Sequence, residues 1–302
     1  MTAVAPMTAV VLQKSNREIG TFLVLLCMLS AIADTLIIHA QQPPAMLNRF
    51  LMWCPAVAAF ATCALCRVPQ EALGLRWPAS RWMVFAYALP VLYALPVYVA
   101  AWATIAGSFT PGPFLAQTAR DYGFAGHPAL ATSLIDIPLM ATAGIVASLT
   151  WALGEEIGWR GFLLPRLNDR IGFAGGCLVS GVIWAAWHYP VLLGANYNAG
   201  TDPLYATACF TVSVIAMGFI LGWLRLRTSS VWPCALLHAS HNQFVQGLFD
   251  PVTTGTGLSR LVTTEFGCGL TLTIGIAALL VIRFPRQPAA TCGDVERSIR
   301  PN

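Results

Sequence analysis

Eight stretches of about 20 mostly apolar residues recur along this 302-residue chain, and that recurrence leaves few folds open. A helix needs about 20 such residues to cross the hydrocarbon core of a bilayer. In lipid, every backbone N–H and C=O of a helix must find its partner inside the segment or against a neighbouring helix. The stretches fall at 20–40, 47–66, 82–106, 137–158, 173–194, 204–224, 231–249 and 267–284. Only 10% of the residues are charged, against 57% hydrophobic, whereas a soluble domain carries about 25% charged residues. The expectation is an all-α, polytopic transmembrane helix bundle of eight spans.

In this scheme residues 1–19 form a cytoplasmic N-terminal segment, 20–284 the transmembrane domain and 285–302 a polar, disordered cytoplasmic tail. The run after Lys14 and Arg17 is too long for the apolar core of a signal peptide and lacks a cleavage pattern, so it reads as the first span. Of the 17 basic residues, fourteen fall on one side of an eight-span arrangement. Only Arg49, Arg120 and Arg260 fall on the other. The positive-inside rule then puts both termini in the cytoplasm. The arginines form no continuous patch, so the net charge of +4 reflects topology and gives no reason to expect nucleic acid as a partner. The longest connection, 107–136, holds Pro111, Pro113 and Pro128, with a short interfacial helix expected around Phe114–Tyr122. Cys63 and Cys66 form a lone CxxC with no second pair or nearby histidine, which fits small packing residues better than a metal or redox site.

Ionisable residues within spans cost about 2.5–3.5 kcal/mol each at a helix centre, so they mark candidate sites. Asp34 stands alone and is expected to hydrogen-bond a neighbouring helix. The others cluster. In Gly154-Glu155-Glu156-Ile157-Gly158-Trp159-Arg160 the two acids point about 100° apart on a helix. Glu156 and Arg160, at i and i+4 with the acid first, are placed to pair. Trp184 and His188 share a face of the next span, whose pairs Gly176/Ser180 and Gly181/Ala185 allow close helix approach. His238 and Asn242 share a face of a third, with His241 either joining them or turning away. Counted from the helix starts, His188 lies about 25 Å in and His238 about 10 Å in, so the two depths do not match if both helices start at one level.

The ordered triple Glu-Glu-x-x-x-Arg, aromatic-x-x-x-His and His-x-x-x-Asn resembles the CAAX-protease and bacteriocin-processing family of intramembrane endopeptidases. The match is clearest over about 137–250, with a vaguer one at Leu73-Gly74-Leu75-Arg76-Trp77-Pro78. Trp184 stands where the family usually has Phe, an exchange of one aromatic ring for another whose cost is expected to be small. The resemblance implies Glu155 as general base, His188 holding the attacking water, and His238 and Asn242 stabilising the oxyanion. Glu156, Arg160 and Trp184 then support the site, with Glu156 and Arg160 fixing the tilt of Glu155. It favours no cofactor. If a metal is present, zinc held by Glu155, His188 and His238 is the alternative, although the His-Glu-x-x-His signature is absent. The implied partners are the lipid bilayer and a peptide or protein substrate entering from the membrane or the cytoplasm. An Ala- and Arg-rich composition with a single Lys suggests a bacterial cytoplasmic membrane. Two other classes use similar features. A non-catalytic immunity or binding protein would keep the scaffold without turnover. A proton-coupled transporter would place polar residues in two repeated halves, and no such repeat is visible.

Overall fold

A computed structural model describes residues 9–40, 44–123, 126–195, 197–255 and 257–284. The expected tail, 285–302, lies outside the described residues. Those described form an all-α bundle with no strand, only an isolated bridge between Phe109 and Thr253. The helices are α1 (Ala9–His39), α2 (Ala45–Cys66), α3 (Ser80–Thr104) and the short α4 (Gly112–Asp121) in the long connection. A helical run of 63 residues, Thr132–Gly194, follows. It opens with the short stretches Thr132–Asp136, Ile137–Leu139 and Met140–Gly144, the first and last of them π-helical, and continues as α5 (Ile145–Glu156), a wider π-helical stretch Ile157–Leu163 and α6 (Leu164–Gly194). The chain continues as α7 (Pro203–Thr228), then α8 (Trp232–His241) with a π-helical extension Asn242–Phe249, α9 (Gly257–Val262) and α10 (Cys268–Val281).

Five helices are long and apolar enough to cross a membrane: 13–39, 45–66, 80–104, the run 132–194 and 203–228. The run 132–194 contains both the fourth and fifth apolar stretches. They are separated at Gly172, whose extended, positive-φ backbone (φ 73°, ψ 176°) breaks the helix and suits glycine. The eighth stretch yields only the 14 residues of α10, about 21 Å of helix and shorter than a bilayer core. The first helix extends the other way, starting at Ala9, ahead of the apolar run. At α7 the local signals are explicit: Asp202 accepts hydrogen bonds from the Leu204 and Tyr205 amides, and Pro203 takes the first helical position.

The helices carrying the three motifs are held close by small residues. α8 packs on both α5 and α3, α6 packs on α7, and α2 lies against α5. A Cβ on Gly154 would come within 2.7 Å of the Met52 carbonyl oxygen, and one on Gly158 within 2.4 Å of Pro55 Cβ. The backbone of α2 therefore presses on the turns that carry both glutamates. Gly181, one of the expected close-approach positions, would put a Cβ 3.0 Å from Ile215 Cα of α7.

The segment before α3 is tied beneath the same helices. Gly74 has φ 72°, and its carbonyl accepts from the Val231 amide at 2.9 Å. Trp232 Nε1 donates to the Leu75 carbonyl at 2.8 Å. Arg225 Nε donates to the Arg160 carbonyl at 3.0 Å and its Nη2 to that of Ala72 at 3.2 Å. The vaguer part of the family resemblance is thus physically attached to the first motif.

Candidate active site

Glu155 and Glu156 close the last turn of α5, where the helix widens into its π-helical stretch, and both are buried, at 2% and 0% exposure. Their side chains diverge as the helical step requires. Glu155 Oε2 accepts the indole N–H of Trp184 at 2.8 Å and, more loosely, that of Trp159 at 3.4 Å. Glu156 Oε1 accepts Arg160 Nη1 at 2.8 Å and His238 Nδ1 at 3.0 Å. The side chains of Glu156 and Arg160 reach His238 and Trp184. The Arg160 guanidinium lies 4.0 Å over the Trp184 ring, a cation–π contact strengthened by desolvation.

Trp184 is therefore more than a substitute ring. A phenylalanine there would keep the stacking but could not donate to Glu155.

His188 Nδ1 donates to the Trp184 carbonyl at 2.9 Å. That bond fixes the proton on Nδ1 and leaves Nε2 as an acceptor in the neutral ring. The rings of Trp184 and His238 sit 5.5 Å apart, and His188 and His238 line one cavity despite the unequal depths counted along their helices. Asn242 opens the π-helical extension of α8, and no hydrogen bond reaches its side-chain amide among the described residues. His241 turns partly aside: its Nδ1 pairs with the Tyr93 hydroxyl at 2.7 Å.

Glu155, His188, His238 and Asn242 all line one cavity of about 670 Å³. Sequence spacing does not reveal its remaining polar lining, which includes Asn48, Ser148, Tyr197, Gln243, Gln246 and Glu265. Glu265 sits in a connection next to an apolar stretch, where an acid attracts no notice. Asp34, expected to bond a neighbouring helix, is buried with Oδ1 unpartnered. Cys63 and Cys66 are free thiols.

No group of three His, Cys, Asp or Glu among the described residues is placed to hold a metal ion. Glu155 Oε2 is engaged by indole N–H groups and His238 Nδ1 by Glu156, which leaves Glu155 Oε1 and the Nε2 atoms of His188 and His238 without a hydrogen bond among the described residues.

Fold and cavity together define a polytopic membrane protein with a carboxylate–imidazole site buried among its helices. The family model described as Type II CAAX prenyl endopeptidase Rce1-like matches residues 137–244, which include all three motifs. Over 76 residues the chain is 29% identical to a protein named CAAX prenyl protease 2 from Methanococcus maripaludis, covering 24% of this chain and 28% of that relative. The motif-bearing segment is CAAX-protease-like, and the chain is an integral membrane protein.

Proposed function

We propose that the protein is an intramembrane endopeptidase that hydrolyses a peptide bond with a water activated by Glu155 and His188. The observation that carries this reading is the convergence of Glu155, His188, His238 and Asn242 on one cavity inside a membrane bundle. A water between Glu155 and His188 donates one hydrogen to the carboxylate and the other to the free Nε2 of His188. Glu155 takes the proton as the water attacks the carbonyl carbon, and returns it to the leaving amine. The tetrahedral oxyanion lies toward His238 and Asn242. Glu156 holds Nδ1–H of His238, so His238 donates from Nε2 in its doubly protonated form, which the adjacent carboxylate stabilises. The unpartnered amide of Asn242 supplies the second donor, and such a donor is worth about 3–4 kcal/mol in acyl transfer.

The family match supports a peptide substrate, and the cavity volume suits a short segment of chain. The relative's name points to CAAX tails. The composition of this chain favours maturation of a peptide or processing of a membrane protein. No step in this scheme requires a metal.

The test is turnover of quenched peptides by the full-length protein in lipid nanodiscs. Glu155→Gln and His188→Ala are expected to lose at least about 10²–10⁴-fold in rate while keeping the wild-type melting profile. A Glu155→Gln protein as active as wild type removes the mechanism. Binding without turnover in the wild type would favour the non-catalytic alternative.

A further inference from the structure

The proposed hydrolysis leaves one acid in the cavity without a task. Glu265 lines the same cavity as Glu155 and is 9% exposed. One of its oxygens is fully engaged: Oε1 accepts the Tyr197 hydroxyl and, at 3.1 Å, Gln246 Nε2, which also reaches the Tyr197 oxygen at 3.2 Å. The other oxygen, Oε2, accepts no hydrogen bond among the described residues. Among the described residues no lysine or arginine lines the cavity, and its cationic group, His238, is already held by Glu156. A buried carboxylate with no cation bonded to it is costly, and it is retained where something neutralises it. Burial pushes the Glu265 carboxyl above the usual carboxylate range, a penalty that a bound positive charge offsets.

The turn that presents Glu265 is built. Thr264 holds φ at 65°, a left-handed backbone that β-branched residues rarely adopt. Its amide donates to the Tyr98 hydroxyl at 3.0 Å, and that hydroxyl donates to Asp250 Oδ1 at 2.5 Å. On the other side, Phe266 stacks on Phe210, another residue of the cavity wall, with ring centroids 5.6 Å apart. Strained backbone persists where the surroundings over-determine it, and such positions cluster at ligand sites.

We propose that Glu265, steadied by Tyr197 and Gln246, is a specificity-determining carboxylate that receives a cationic group of the substrate peptide, a guanidinium or an ammonium, in the cavity that holds Glu155. This rests on the reading of the site as a peptidase. Oε1 is saturated by two donors, so the incoming cation takes Oε2. The cavity then combines a reactive end with an anionic recognition end and selects peptides with a basic residue at one fixed distance from the scissile bond.

The experiment uses the full-length protein in nanodiscs and a set of quenched peptides in which arginine, or its neutral isostere citrulline, occupies each position in turn. The wild type is expected to show an arginine-to-citrulline ratio in kcat/KM of about tenfold or more at one position, carried mainly in KM. In Glu265→Gln that ratio falls to about one. Equal handling of both series by the wild type overturns the proposal, and that comparison needs no variant, so a misfolded Glu265→Gln does not shelter it. Retention of the ratio in a folded Glu265→Gln also overturns it. The same peptides are titrated by fluorescence polarisation onto Glu155→Gln, with and without Glu265→Gln. Arginine-dependent binding that vanishes with Glu265, beside a wild type that cleaves nothing, leaves the subsite standing and removes the peptidase. Cleavage that depends on Glu155 but ignores charge does the reverse.

Discussion

At the scale of single residues, Glu156 is the junction of the site. One of its oxygens serves both Arg160, four residues on, and His238, 82 residues on, while Oε2 has no partner. On the far side, Arg160 Nε and Nη2 also lack hydrogen-bond partners, and the guanidinium depends on Glu156 and the Trp184 ring. Breaking one partner of a buried ion pair costs about 3–5 kcal/mol because the other charge is left uncompensated. Glu156→Gln is therefore expected to lower the melting temperature clearly and to cut turnover, since His238 loses its anchor as well. Thermal unfolding in detergent and peptide turnover check both effects. An unchanged melting temperature would mean that the pair contributes little. The Trp184 contact makes a separate prediction. Hydrogen bonds to charged groups contribute about 1.5–3 kcal/mol, so Trp184→Phe is expected to reduce turnover about 10- to 100-fold with little loss of fold. Trp159→Phe, which removes only the 3.4 Å contact, should do less. If Trp184→Phe keeps full activity, the indole is only filling space. Spacing on one helix makes the Glu156–Arg160 pair legible in the sequence. Neither the 82-residue link to His238 nor the indole bond across 29 residues can be read there, because both depend on how separate helices dock.

At the scale of elements, the order of apolar stretches carries through to the structure because a bilayer-length helix satisfies its own backbone whatever it packs against. All eight stretches are helical, and the short helix expected around Phe114–Tyr122 forms at Gly112–Asp121. The π-helical widenings after Glu156 and after His241 were not legible, since an i, i+5 register differs from an α-helix only through its packing. They fall where the site needs them, beside Glu156 and at Asn242. Gly154 in α5 and Gly158 just beyond it lie tight against α2. Gly158→Ala would place a Cβ 2.4 Å from that of Pro55, with the Pro55 carbonyl carbon 2.7 Å away. Backbone cannot rotate aside as a flexible side chain can, so α2 must shift. Overpacking of this kind costs about 1–3 kcal/mol. A lower melting temperature and reduced turnover are expected together, because Glu155 and Glu156 ride on the displaced turns. Gly275→Ala in α10, with nothing within 4 Å of the added Cβ, is the control and should not destabilise. A Gly158→Ala protein that melts like wild type would show that the interface is looser than its geometry implies.

At the scale of the whole molecule, polarity is arranged inside out. Large apolar side chains such as Met28, Leu92, Val146, Leu204 and Leu272 are exposed, while Glu155, Glu156, Arg160 and His238 are buried. A soluble protein would not present such an outer surface, and a lipid-facing one does. On the proposed reading, a substrate must enter the cavity that holds Glu155 to be cut. Ala147 offers a way to test that route. It lines the cavity yet is exposed, which puts it at the mouth, and it precedes Glu155 by eight residues, about 12 Å along the helix. Ala147→Trp adds bulk at the opening without touching any of the four reactive side chains. If substrates pass this way, kcat/KM falls about tenfold or more, and the loss grows with peptide length, while the melting temperature stays near wild type because little is overpacked at an exposed position. Equal losses for short and long peptides would point to a displaced α5 rather than a blocked entrance. Full activity on every length would mean that substrate reaches Glu155 by another face of the bundle.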